Sequence, residues 1–185
     1  MKARKKMPRK QPQRGARQLL RAAAKLKEIQ RKGWIVSGGI KNPESVADHS
    51  FRMAVLGAYL SDSLGLDTSK VLRMCLIHDI AESEIGDLTP EEKVSEDNHK
   101  KLEDRIARLL FATLPPKPKR VFLRDWSELM KRKSREARLV WEIDKLEMGL
   151  TMKDYLRSGG NPEKLERFNP TKFLSWDLKS LFDEY

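Results

Sequence analysis

The sequence predicts an all-α protein, an irregular helical bundle built as one domain. Three observations carry that expectation. Apolar residues recur at intervals of three and four over most of the chain, the spacing of one helix face. No apolar–polar alternation of useful length marks a strand. Gly, Pro and Ser/Thr/Asp residues stand where helix ends are needed. At 185 residues, 39% hydrophobic and 35% charged, the chain has room for one sizeable core under a heavily charged surface.

Leu19, Leu20, Ala23, Leu26 and Ile29 predict a first helix from about Ala16 to Lys32, ended by Gly33. Trp34 to Lys41, with Gly38-Gly39, reads as an irregular link. Pro43 and Ser45 mark the next helix start, with Val46, His49, Met53, Leu56 and Leu60 in one stripe running down to Leu64. Thr68 is the expected N-cap of a helix through Val71, Leu72, Met74, Cys75, Leu76 and Ile77 that also carries His78-Asp79. Gly86 to Pro90 breaks the pattern and puts Asp87 on a turn. Glu91 to Leu114 reads as a charged amphipathic helix with Leu102, Ile106, Leu109 and Leu110 inward. Pro115-Pro116-Lys117-Pro118 breaks it, and Val121 to Met130 forms a shorter helix. Arg135 to Leu156 is a long one, with Leu139, Ile143, Leu146 and Leu150 facing the core. After Gly159-Gly160, Phe173 to Phe182 packs through Leu174, Leu178 and Phe182. Trp126, Trp141 and Trp176 are expected in the core or at an interface.

The net charge of +11 is uneven: residues 1–17 carry eight Lys and Arg and no acidic residue, and taking these eight away leaves +3. This block, with Pro8, Pro12 and Gly15, is expected to be a disordered basic tail before a single domain at 18–185. It is either a solubilising extension or an electrostatic contact for nucleic acid. The single Cys75 excludes an internal disulfide and suits the cytoplasm. No apolar run approaches the ~20 residues of a membrane span, and no apolar leader is evident.

The chemistry centres on Leu76-Ile77-His78-Asp79-Ile80-Ala81-Glu82, closed by Gly86-Asp87. A carboxylate beside an imidazole in an apolar run is costly to bury unless a metal ion or charged partner compensates. Glu82 follows His78 by four residues, which on a continuous helix gives both one face. His49 and Asp144 stand inside other predicted helices. Two imidazoles and two carboxylates from three helices suit a divalent ion of the Mn, Fe, Co, Ni or Zn group.

The order His49, His78-Asp79, Asp144 resembles the H…HD…D signature of the HD-domain metal phosphohydrolases. Gly33-Trp34, Pro43-Glu44-Ser45-Val46-Ala47-Asp48-His49-Ser50, His78-Asp79-Ile80-Ala81-Glu82, Gly86-Asp87-Leu88-Thr89-Pro90 and Asp144-Lys145-Leu146-Glu147-Met148 narrow the resemblance to the small HD-domain 5′-deoxynucleotidases. It runs from about Leu26 to Tyr155.

The resemblance implies an HD-type bundle with one divalent transition metal ion per chain on His49, His78, Asp79 and Asp144. It implies hydrolysis of deoxyribonucleoside 5′-monophosphates by activated water, proton transfer by Glu82 and Asp87, and a homodimer. Trp34 is similar to the family's tryptophan beside the sugar. Relatives carry an arginine beside that tryptophan or a few residues later; this chain has Gly33 and Ser37-Gly38-Gly39, leaving Arg31, Lys41 or Lys93 as the candidate phosphate clamp. His99 is expected on the surface, and Glu44 either caps a helix or supports the site. Two other readings compete: an HD phosphodiesterase or pyrophosphohydrolase, and a nucleic-acid-binding protein with the HD core as scaffold.

Overall fold

The computed structural model describes residues 11–93 and 95–185. Its α-helices are α1 (Gln11–Leu26), α2 (Lys32–Val36), α3 (Val46–Ser63), α4 (Thr68–Ile77), α5 (Glu82–Ile85), α6 (Glu96–Ala112), α7 (Pro116–Met130), α8 (Arg135–Arg157), α9 (Pro162–Leu165) and α10 (Trp176–Glu184). A 3₁₀ turn at Glu166–Phe168 follows α9. Among the described residues the sole β pairing is one isolated bridge between Gln30 and Ser45. The all-α expectation is borne out.

Two apolar centres hold the bundle. The larger packs Met53 and Leu60 of α3, Val71, Met74 and Cys75 of α4, and Ile143, Leu146 and Leu150 of α8. The smaller joins Ala22 and Leu26 of α1 to Ile77, Ile80, Ala107, Phe111 and Trp126. Burying a large apolar side chain is worth about 1.5–3 kcal/mol, so the α3–α4–α8 contact is the rigid base of the molecule. Cys75 is buried in it, and desolvation pushes its thiol up to about 12, which makes it a packing residue rather than a nucleophile.

Several boundaries differ from expectation for local reasons. α1 already includes Gln11 to Arg17, so that part of the expected tail is helical; residues 1–10 lie outside the described residues. The chain leaves the helix after Leu26, and Gly33 opens the short α2 together with Trp34 instead of ending α1. Asp67, not Thr68, caps α4 by accepting from the Lys70 N–H at 3.0 Å. Ser95 caps α6, which starts at Glu96 rather than Glu91. Leu102 and Leu109, expected inward, are exposed, Ile106 and Leu110 are half-buried, and the buried side carries His99, Ala107 and Phe111. The proline cluster starts α7 instead of preceding a gap, because proline is tolerated in a first turn. Trp126 is buried, and Trp141 packs between the Arg132 guanidinium at 4.4 Å and the Phe173 ring; the Trp176 side chain lies outside what is described.

Candidate metal centre and active site

His49 sits on the inward stripe of α3, whose start is fixed by a capping box between Ser45 and Asp48. His78 and Asp79 do not continue a helix. α4 ends at Ile77, and the chain tightens through His78–Ala81 before α5, with the Glu82 N–H bonding the Asp79 carbonyl at 3.0 Å. Glu82 is therefore brought near His78 and Asp79 by a turn, not by one helix face. Asp144 comes from α8.

These elements converge. His78 Nε2 lies 2.9 Å from Asp79 Oδ2 and 3.3 Å from His49 Nε2, which is 3.3 Å from Asp144 Oδ1. Neighbouring ligands on an ion with bonds of about 2.1 Å stand about 3 Å apart, so the spacing fits a divalent transition metal. His49, His78 and Asp79 alone already form a cluster that could hold one.

Ring orientation supports the fit. The His78 Nδ1–H donates to the Cys75 carbonyl at 2.7 Å, and the His49 Nδ1–H donates to the Glu147 carboxylate. Acceptors behind both imidazoles turn both Nε2 atoms toward one point, the usual arrangement behind metal-ligating histidines. With Nδ1 protonated on each neutral ring, two lone pairs face each other unless a proton or a metal ion lies between. Burial and Arg31 oppose a charge on His49, but its bonds to Asp144 and Glu147 outweigh them and hold its pKa up to about 9. A divalent ion bound there takes the place of that proton.

A cavity of about 390 Å³ opens over this cluster, lined by Arg31, Trp34, Asp79, Glu82, Asp87 and Asp144 among others. Burial opposes ionisation of Asp79, yet the neighbouring His78, Arg31 and His49 hold it well below the usual carboxylate range. The Glu82 carboxyl is buried, and its Oε2 has no hydrogen-bond partner among the described residues. Desolvation and the charges of Asp79 and Asp87 push it well above the ordinary value. Asp87 Oδ2 accepts from the Lys32 N–H at 2.6 Å, so one of its oxygens is committed to holding the start of α2.

Arg31 reaches Asp79 with its Nη1 at 3.3 Å and is surrounded by Asp79, Asp87, Asp144 and Glu82, which keep it charged despite burial. Lys41 is exposed and is not part of the cavity wall, whereas Lys93 is. Trp34 is buried, with its ring against Phe168 at 4.1 Å and edge-on to Tyr155 at 5.2 Å. Its Nε1–H donates to Glu44 at 3.2 Å. Glu44 thus braces the site, while Ser45 does the capping. His99 is buried beside Glu103, at 2.9 Å, instead of on the surface.

Several residues in or behind the cavity wall were not singled out by sequence. Lys145 places Nζ 2.8 Å from Asp144 Oδ2. Glu147, three residues past Asp144, shares its face of α8; that spacing was the available signal. Arg167 and Phe168 arrive from the 3₁₀ turn and had no local signal.

The HD domain family profile matches residues 23–174. The chain is 34% identical over 173 residues to 5′-deoxynucleotidase HDDC2 of Dictyostelium discoideum, covering 90% of this chain and 85% of that protein. It is 30% identical to 5′-deoxynucleotidase HDDC2 of Homo sapiens, covering 82% and 73%. A solved conserved hypothetical protein from Pyrococcus furiosus superposes with a TM-score of 0.69 at 30% identity, covering 90% of this chain and 96% of that one. The chain belongs to the HD-domain family, among the 5′-deoxynucleotidases.

Proposed function

We propose that this protein is a metal-dependent phosphomonoesterase that hydrolyses deoxyribonucleoside 5′-monophosphates to deoxynucleoside and phosphate. One divalent ion of the Mn, Fe, Co, Ni or Zn group is held by His49, His78, Asp79 and Asp144. The observation that carries this reading is the convergence of those four side chains beneath a cavity of about 390 Å³, within the range of small-molecule sites. The bound ion would supply an acidified water and charge neutralisation for the phosphate.

The chain's own groups divide the remaining work. Arg31 and Lys145 carry positive charge at the metal end of the cavity, with Lys93 and Arg167 elsewhere in its wall. Glu82, whose carboxyl is pushed above its ordinary value by desolvation and the charges of Asp79 and Asp87, is the donor for the departing sugar oxygen. Asp87 orients the water while it anchors α2. Trp34 provides the wall for the sugar. Its indole N–H is already bound to Glu44, so it offers nothing to a 2′-hydroxyl, and a polar group buried without a partner costs about 1–3 kcal/mol. A bare 2′-carbon is therefore preferred. The exposed Phe51, Val55 and Tyr59, one turn apart along α3, suit the expected homodimer, and the lone thiol suits the cytoplasm.

The test is phosphate release from dAMP and AMP with Mn, Co, Ni, Zn or Mg, for the parent and Glu82→Ala. dAMP should be the better substrate by roughly ten- to a hundredfold in kcat/KM, the equivalent of the hydroxyl penalty. Glu82→Ala should retain metal and lose about 10²–10⁴-fold in turnover. No release from either nucleotide with any metal would leave the fold a binding scaffold. Unchanged turnover in Glu82→Ala would transfer the proton-donor role to Asp87.

A further inference from the structure

Residues 1–27 hold eleven of the 38 Lys and Arg residues and no Asp or Glu. The 27 cations that remain equal the 27 acidic residues, so the whole charge of +11 belongs to this segment. Its described part is α1, which lies against the connection from α6 to α7. A Cβ at Gly15 would stand 2.7 Å from the Thr113 carbonyl oxygen and 3.0 Å from Leu114. Glycine inside a helix costs about 1 kcal/mol relative to alanine; here it permits backbone contact and brings Arg14 to the start of α7.

Between the two helix starts lies an open groove of about 950 Å³. Arg14, Lys119 and Arg120 ring it over Leu114, Pro116 and Leu123, and no acidic residue lines it. Neither α1 nor α7 has an acidic residue in its first turn. Cations at a helix N-terminus are disfavoured by the helix dipole, whereas an anion there is favoured. Two helix starts that present arginine and lysine to one groove thus give up some folding stability and gain a field suited to a bound polyanion.

The same residues narrow the polyanion. Neither the groove nor residues 1–27 contain Phe, Trp or Tyr, so there is no platform on which unpaired bases would stack. Leu20 is the one large apolar side chain that α1 exposes, too little for the apolar face of a membrane-surface helix. What is left is contact with phosphates alone, strongest where phosphates are densest, as on a duplex.

We propose that the groove between the starts of α1 and α7 binds the phosphate backbone of double-stranded nucleic acid without reading its bases. The groove shares no lining residue with the metal-centre cavity, so binding there is separable from phosphate release.

The experiment uses the full chain, fluorescence anisotropy with labelled 20-base-pair DNA and RNA duplexes, and NaCl from about 50 to 200 mM, the range over which phosphate contacts are lost steeply. The groove variant is Arg14→Gln/Lys119→Gln/Arg120→Gln. Its control, Lys133→Gln/Arg138→Gln/Lys172→Gln, removes the same charge at exposed positions outside the groove. The groove variant should bind at least about tenfold more weakly at low salt, with a salt slope smaller by about two to three, since each lost phosphate contact removes about one. The control should shift far less, and dAMP turnover should be unchanged in both. Circular dichroism checks folding, and single Arg14→Gln and Arg120→Gln variants, each expected to lower the slope by about one, replace the triple if it misfolds. Equal losses in groove and control variants would reduce the effect to net charge and overturn the site. So would a parent that binds neither duplex, or one that prefers phosphatidylserine vesicles to both.

Discussion

His49 points Nε2 into the donor cluster because Glu147, buried behind it on α8, accepts a hydrogen bond from its Nδ1–H. Thr151 donates to the other Glu147 oxygen at 2.8 Å, and Arg52 stands 3.8 Å from it. The carboxylate thus fixes the tautomer of one proposed ligand without touching the ion. Residues in that position typically account for 10–100-fold in metal affinity. Glu147→Gln, similar in shape but uncharged, should keep the fold and weaken metal binding by about that factor. A metal titration of folded protein checks it, and an affinity equal to the parent's would make Glu147 a packing residue only. At this scale the candidate ligands were legible because His49, His78, Asp79 and Asp144 sit in ordered words. Glu147 was present in one of those words, but a buried carboxylate looks like any helix-surface glutamate until its partner, 98 residues earlier in the chain, is known.

At the scale of elements, the α3–α4 contact sets the distance between the two imidazoles. At Gly57 the helices pack closely: an added Cβ would meet Cys75 Sγ and Val71 Cγ1, each at 3.0 Å. Both neighbours are buried, so neither can swing away. Gly57→Val should cost about 1–3 kcal/mol through overpacking, read by urea denaturation, and should weaken metal binding by prying His49 from His78. Stability equal to the parent's would mean that the helices can separate at no cost, and would remove this contact as the spacer. The long helices α3 and α8 were readable because their apolar stripes are long and their starts capped. What sequence missed were the short pieces. The turn at His78–Ala81 is set by tertiary contacts of Ile80 and Ala81 rather than by a breaker residue, and α9 with the 3₁₀ turn is too short to show a period. α6 was placed too early because Glu91 and Glu92 look like helix residues, yet Glu92 folds back to accept from the Thr89 N–H at 3.1 Å.

Across the whole molecule, the proposed ligands run from residue 49 to residue 144 and join α3, the turn after α4, and α8. In the unfolded chain they are not held together, so an ion that binds them stabilises only the folded state. The gain is about 2.7 kcal/mol when free metal is a hundredfold above its dissociation constant. For a domain of this size each kcal/mol moves Tm by about 2–4 °C. Chelation should therefore lower Tm by about 5–11 °C, and one equivalent of Mn, Co, Ni or Zn should restore it. Asp79, Asp144 and Asp87 near Arg31 add to the effect, because their mutual repulsion rises once the ion is gone. Asp144→Asn should start from a lower Tm and respond little to the chelator. The measurement is a scanning calorimetry trace of each protein before and after chelation, with metal content determined on the same samples. If the parent's Tm stays put after elemental analysis shows the ion removed, the four side chains do not share a metal in the folded state, and the cluster is held by its own hydrogen bonds.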